Sequence, residues 1–309
     1  MIHSKQARAQ DIRAPDANVA VLGYAVFWRL SGVQVPHTAL EAALTQAGFA
    51  RFVPAPPSPP TALRRALLWF AQHAGCETLL LRVVSRAPWV FALVREERDQ
   101  QGSLTYVTRM RVRYDPWTRD ICCTRSPSGP INATTEDQST TATLRPLFQN
   151  ASETHTGEDL SRVLRAIIAS LGAIRLQRGV YFVPASESAP LQRLDALIAR
   201  LPGAPLLATL ARLDERRTRE QLVHAIHADL MREIDSMETR LSDMQAAHPQ
   251  PDVTLLCQHL LGFRAVQKKA QIYTDLLGAR VQEMSARLAF LQERVQNLVL
   301  VDVKDLLPS

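Results

Sequence analysis

No stretch of about 18 apolar residues occurs in this chain of 309 residues, so no membrane-spanning helix is expected. Met1 to Pro15 is polar and mixed in charge, without the apolar centre of a secretory leader. Cysteine is scarce. Cys122 and Cys123 are adjacent, while Cys76 and Cys257 stand far apart, which gives neither a disulfide framework nor a paired-cysteine zinc knuckle. Reduced thiols in a cytoplasmic protein are the expectation. The Walker phosphate loop, GxGxxG, GxSxG and HExxH are all missing, so no cofactor or metal is expected. Asp115 and Asp120 imitate a carboxylate pair, but Asp115-Pro116 reads as a turn. His73 and Cys76 lie close with no third group to orient them. His224, His227 and His259 lack the i, i+4 spacing with glutamate that zinc proteases use. These absences argue against an enzyme.

What is present is positive charge in one place. The formal net charge is +6, and Met1 to Arg125 holds 16 Lys+Arg against 9 Asp+Glu. The remainder is nearly balanced, so the basic surplus sits in the first two-fifths. All but one of those cations are arginine, the side chain best suited to bidentate phosphate contact and stacking.

The longest pattern runs from residue 214 to 300 and reads as an antiparallel α-helical hairpin of coiled-coil type. Val223, Leu230, Met237 and Met244 recur every seven residues, joined by Ile234 and Leu241. Phe263, Ala270, Leu277, Met284, Leu291 and Leu298 form a second series, with Leu260, Val281, Leu288 and Val295 beside it. Pro249 and Pro251 break the pattern and fold one arm back on the other. The second arm is about 20 Å longer, at roughly 1.5 Å per residue. Its end, with Leu288, Leu291, Val295 and Leu298, is therefore expected to meet a protein partner or a second copy.

Residues 1–17 read as a flexible tail and 18–125 as a basic α+β domain with an antiparallel sheet. A strand over Asn18 to Leu30 is followed by a helix after Pro36, where Thr38 and Glu41 have the spacing of a capping box. A proline-rich loop leads to a helix over Thr61 to Ala74. Four strand-like runs follow, at Thr78 to Ser85, Trp89 to Arg95, Ser103 to Tyr114 and Thr118 to Cys123. This order predicts helices on one sheet face and an open second face. In the third run Arg109, Arg111 and Arg113 alternate with Met110, Val112 and Tyr114, which predicts three arginines on one face. They are either paired with Glu96, Glu97 or Asp99, or bound to an anion such as nucleic-acid phosphate, with Trp117 or Tyr106 available to stack.

Residues 126–142 read as a Ser/Thr/Pro/Gly linker, and 143–213 as a small winged-helix-like α/β unit. Thr156 and Asp159 cap a helix whose Leu160, Val163, Leu164, Ile167, Ile168 and Leu171 form one apolar face. Gln177-Arg178-Gly179 then turns a hairpin, and a helix and the strand Leu206 to Leu213 complete the unit. Arg162 and Arg165 on the helix and Arg178 at the hairpin tip are the candidate contacts to nucleic acid. Residues 301–309 read as a tail.

Gly157-Glu158-Asp159-Leu160 opening a helix, then Gly179-Val180-Tyr181-Phe182-Val183-Pro184 and the long helical hairpin, resembles an uncharacterised family from bacterial phages, plasmids and defence loci. The resemblance implies a role in the biology of mobile elements or anti-phage defence, and brings no catalytic residues. The expectation is a non-enzymatic nucleic-acid-binding protein, contacting DNA or RNA through the arginines and assembling through its helical arm. The alternative is an adaptor that docks a protein partner through that arm without nucleic acid.

Overall fold

The computed structural model describes residues 20–73, 79–86, 89–98, 103–125, 133–247, 253–277 and 293, with 125, 133–139, 241, 244–247 and 253–260 described by backbone alone. In chain order the elements are β1 (Val21–Arg29), β2 (Gln34–Pro36), α1 (His37–Gln46), α2 (Pro59–His73), β3 (Leu79–Arg86), β4 (Trp89–Arg98), β5 (Leu104–Asp115) and β6 (Asp120–Arg125). They continue with α3 (Ala133–Glu153), β7 (Thr154–Thr156), α4 (Gly157–Ser170), β8 (Ile174–Gln177), β9 (Val180–Pro184), α5 (Ser188–Ile198), β10 (Leu206–Leu213), α6 (Arg216–Ala247) and α7 (Val253–Leu277). The described chain is thus mixed α/β, with antiparallel sheets and seven helices. Among the described residues no helix is long and apolar enough to cross a membrane.

Two compact units emerge, one of Leu30–Val163 with Arg200–Pro205 and the other of the chain before Leu30, Leu164–Ala199 and the chain from Leu206. The first unit holds β2–β7 and α1–α3. Its main sheet has the order β3-β4-β5-β6, every pair antiparallel. Helix α2 starts on Pro59 and Pro60, whose fixed φ suits a first turn. It buries Ala62, Leu63, Ala66 and Leu67 against Phe91, Leu93, Met110, Val112 and Ile121 of the sheet. Helix α3 adds Leu144 and Phe148 to the same core. Each fully buried side chain of this size stabilises by about 1.5–3 kcal/mol. Helix α3 also occupies much of the span expected as a linker, continuing through Pro146. Its Ser/Thr-rich first half shows no apolar period, and the docking of Leu144 and Phe148 carries the helix.

The second unit builds a four-stranded sheet in the order β10-β1-β9-β8. Strand β1 therefore leaves the β3–β6 sheet, where the expected 18–125 domain had placed it, and pairs with β10 and β9. That pairing joins residues about 160–190 apart, beyond the reach of any local signal. The 143–213 segment likewise divides. Helix α3 packs with α2, whereas β8, β9, α5 and β10 fold with β1. At Gly23 an added Cβ would lie 2.3 Å from the Val183 carbonyl oxygen, so only glycine allows β1 and β9 to approach this closely.

Helices α6 and α7 share a core with Leu22, Ile174 and Phe182 of this sheet. The buried positions are Leu222, Ile226, Leu230 and Ile234 on α6, and Phe263, Val266, Ala270 and Tyr273 on α7. Of the expected heptad positions Leu230, Ile234, Phe263 and Ala270 are buried, but Val223 is only half-buried, and Leu222, Ile226, Val266 and Tyr273 join the inward stripe. A helix that packs on both a sheet and a helix buries a wider stripe than a coiled-coil seam. Within this core Lys269 donates to Asp229 at 2.8 Å and to Glu233 at 2.6 Å. The Tyr273 hydroxyl donates to the Gly172 carbonyl at 2.8 Å, and burial raises its pKa well above the ordinary phenol value.

Candidate nucleic-acid interface

The face of the β3–β6 sheet opposite α2 and α3 is set by strand register. Arg82, Ala92, Arg111 and Thr124 pair successively across the four strands, and Ser85, Val90, Arg113 and Cys122 form the next row. Met110 and Val112 alternate with these positions and enter the α2–α3 core, so Arg111 and Arg113 point the other way. Both are exposed, about 7 Å apart along the strand. Neither guanidinium is hydrogen-bonded or ion-paired to another described residue, although the Arg111 carbonyl accepts from the Thr124 hydroxyl at 3.4 Å. Arg82 lies over the Tyr106 ring, 5.3 Å from its centroid. Tyr106 is 50 % exposed and Trp117, in the β5–β6 turn, is 93 % exposed.

Arg109 differs from its two neighbours. Leu93 pairs with Met110 but Val94 pairs with Thr108, which leaves Arg109 as an extra residue in a β-bulge. A bulge re-aims its side chain, and Arg109 engages Glu97 at 3.9 Å. Glu97 also accepts from Arg95 Nε at 2.8 Å. Period two thus groups Arg111 with Arg113, and Arg109 joins the acid-paired group. Other carboxylates nearby are also engaged. Asp115 accepts the Trp117 N–H at 3.0 Å and shapes the turn. Asp120 accepts two bonds from Arg145, at 2.6 and 3.1 Å, and that guanidinium holds its pKa below the ordinary carboxylate value. The two aspartates are therefore separately bound, one to a turn and one to an arginine.

The remaining candidate arginines are dispersed. Arg162 donates to Asp159 at 2.5 Å. Arg165 follows on α4 but belongs to the other unit, and it too has an interaction partner. Arg178 stands exposed at the β8–β9 turn beside Gly179, whose φ of +81° favours glycine. Leu288, Leu291, Val295 and Leu298 lie outside the described residues.

Sequence reasoning did not find the polar cluster around Asp159. This carboxylate accepts from the Thr156 N–H at 2.9 Å, the Thr156 hydroxyl at 3.1 Å and Arg65 at 2.6 Å. The Thr156–Asp159 contacts follow from their capping spacing. Arg65 is 94 positions away, so no local signal exposes it. Burial pushes the Asp159 pKa up, but the Thr156 N–H and Arg65 outweigh it and leave the value low. His155 is buried, with its Nε2 3.0 Å from His37 Nδ1 and its Nδ1 without a hydrogen-bond partner. Helix α1 begins at His37 with no side-chain cap bond, one residue ahead of the expected capping position at Thr38. Among the described residues no three His, Cys, Asp or Glu side chains gather as a metal site.

No curated protein and no solved structure matches this chain. Residues 21–304 match the model of DUF6744, a family of unknown function, and the chain belongs to that family.

Proposed function

We propose that this protein binds nucleic acid without catalysis, using the open face of the β3–β6 sheet. The observation that carries the reading is the pair Arg111 and Arg113, exposed side by side without a carboxylate partner among the described residues. Two cations held this close repel each other, and an anion in contact with both relieves that cost. Phosphate suits guanidinium geometry, and the aromatic rings of Tyr106 and Trp117 offer stacking surface to unpaired bases.

The proposal gives Arg178, at the β8–β9 turn of the other unit, a wing-like phosphate contact of its own, and leaves Arg109 to its ion pair with Glu97. It makes α6 and α7 the base of a helical arm whose Leu288, Leu291, Val295 and Leu298 assemble copies or recruit a partner in the cytoplasm. The family resemblance directs the role toward phage, plasmid or defence biology. A second reading, an adaptor docking through that arm, is favoured by Leu261, which is 64 % exposed on α7. Fluorescence anisotropy with labelled single-stranded DNA, duplex DNA and RNA separates the two. Binding to one probe that weakens as salt rises supports the first reading. No binding to any probe at low salt rejects it and leaves the adaptor.

A further inference from the structure

A second candidate site lies on the helical side of the first unit and shares no residue with the arginine face. It is a cleft of about 270 Å³ between α2, α3, β2 and β7, lined by Gln34, Arg65, Trp69, Asn150, Thr154 and Thr156 among others. Its base is rigid. Arg65 donates to Asp159 at 2.6 Å and reaches the Thr154 carbonyl at 3.5 Å, while Asp159 is itself held by the Thr156 N–H. Arg65 and Trp69 stand four residues apart on α2, so both face the same side of the helix. Trp69 is stacked on His73, with centroids 4.0 Å apart and planes at 15°, and His73 Nδ1 lies 2.7 Å from the Trp69 carbonyl oxygen. The indole is thereby braced and yet 47 % exposed.

Two amides complete the wall. Asn150 Oδ1 accepts from the Thr154 hydroxyl at 3.2 Å, leaving its NH2 group available. The Gln34 amide is exposed and has no partner among the described residues. The ligand chemistry follows from these groups. Asp159 is shared between Arg65 and Arg162, but Arg65 is tied to both Asp159 and the Thr154 carbonyl, so it is not free to turn onto an anion. A large aromatic plate calls for a flat ring, and unpaired amides call for a ligand with adjacent donors and acceptors on its edge. The volume lies just below the range of drug-sized ligand sites, about 300–1,000 Å³, a size that suits a base or nucleoside. Adenine offers the N6 donor beside the N7 acceptor that Asn and Gln amides recognise in pairs.

We propose that this cleft binds adenine, stacked on Trp69 and read by Asn150 and Gln34. The base could come from a free nucleoside or from an unpaired position of a strand. The test uses the full chain carrying Arg111→Ala and Arg113→Ala, so that binding by the sheet face does not interfere. Adenosine, guanosine, uridine, oligo(dA) and oligo(dT) are titrated by calorimetry and by tryptophan quenching. Saturable adenosine binding at least about ten-fold tighter than guanosine or uridine is expected, as is a loss of about ten-fold or more in Trp69→Ala. Asn150→Leu, an exposed position on α3, is expected to weaken adenosine and leave thermal unfolding unchanged. Oligo(dA) binding at least ten-fold tighter than adenosine identifies a strand-borne base, and equal affinity identifies the free nucleoside. Absence of saturable binding by both adenosine and oligo(dA) overturns the proposal. So does adenosine binding that survives both Trp69→Ala and Asn150→Leu, or that guanosine and uridine match.

Discussion

Replacing Lys269 with alanine probes what holds α6 to α7. The Lys269 and Asp229 side chains are 9 % and 7 % exposed, so their ion pair is shielded from water. Asp229 keeps a second partner, Arg232, at 2.9 Å, but that arginine side chain is 58 % exposed. Removing one member of a buried pair costs about 3–5 kcal/mol, because the survivor stays buried and uncompensated. The remaining Arg232 contact puts Lys269→Ala near the lower bound, about 3 kcal/mol, or roughly a hundred-fold in the folding equilibrium. Glu233 is 38 % exposed, and Glu233→Ala is expected to cost less than about 1 kcal/mol. A double change, Asp229→Leu with Lys269→Leu, removes both charges and is expected to recover most of the loss. Urea unfolding followed by circular dichroism and tryptophan fluorescence reads all three variants. The reasoning fails if Lys269→Ala costs no more than Glu233→Ala, or if the double variant is as unstable as Lys269→Ala.

Acid behaviour separates His155 from Asp159. Burial holds the His155 pKa below the ordinary imidazole value, against the opposing pull of Asp159, so the folded ring stays neutral where the unfolded one protonates. Its contribution is intact above about pH 6.5 and is lost as the pH falls below that value, and His155→Gln should flatten this part of a stability–pH curve. Asp159 works lower. Its depressed pKa stabilises the fold above about pH 3.9, an effect lost as the pH falls through the folded value, so Asp159→Asn should destabilise at pH 7 and change little near pH 2. At Gly157 an added Cβ would sit 2.0 Å from the Leu30 carbonyl oxygen, so Gly157→Ala is expected to cost about 3 kcal/mol in thermal unfolding.

Local signals in the chain located most elements. The apolar face of α4, the turn at Gln177-Arg178-Gly179 and the whole of β10 lie where period and turn chemistry place them. What the chain did not disclose depends on contacts between distant residues. Strand β1 has the composition of a buried strand, but nothing in it names β10 and β9 as partners. The bulge at Arg109 is invisible because alternation along β5 continues through it, and only the register against β4 reveals the extra residue. Heptad spacing on α6 offered Val223, whereas the sheet beneath it selects Leu222 and Ile226. The arginine face was half legible, since Arg111 and Arg113 follow period two. The adenine cleft was not legible, since Arg65, Trp69, Asn150 and Thr154 meet only when α2, α3 and β7 pack.

The central claim rests on Arg111 and Arg113 as phosphate contacts, and salt dependence reads such contacts directly. For single-stranded nucleic acid each neutralised phosphate contributes about −0.7 to the slope of log K against log salt. Affinity for the preferred probe, titrated from about 50 to 200 mM salt, should give a slope shallower by about 1.4 when both arginines become alanine. A double variant with unchanged affinity and unchanged slope would contradict the account.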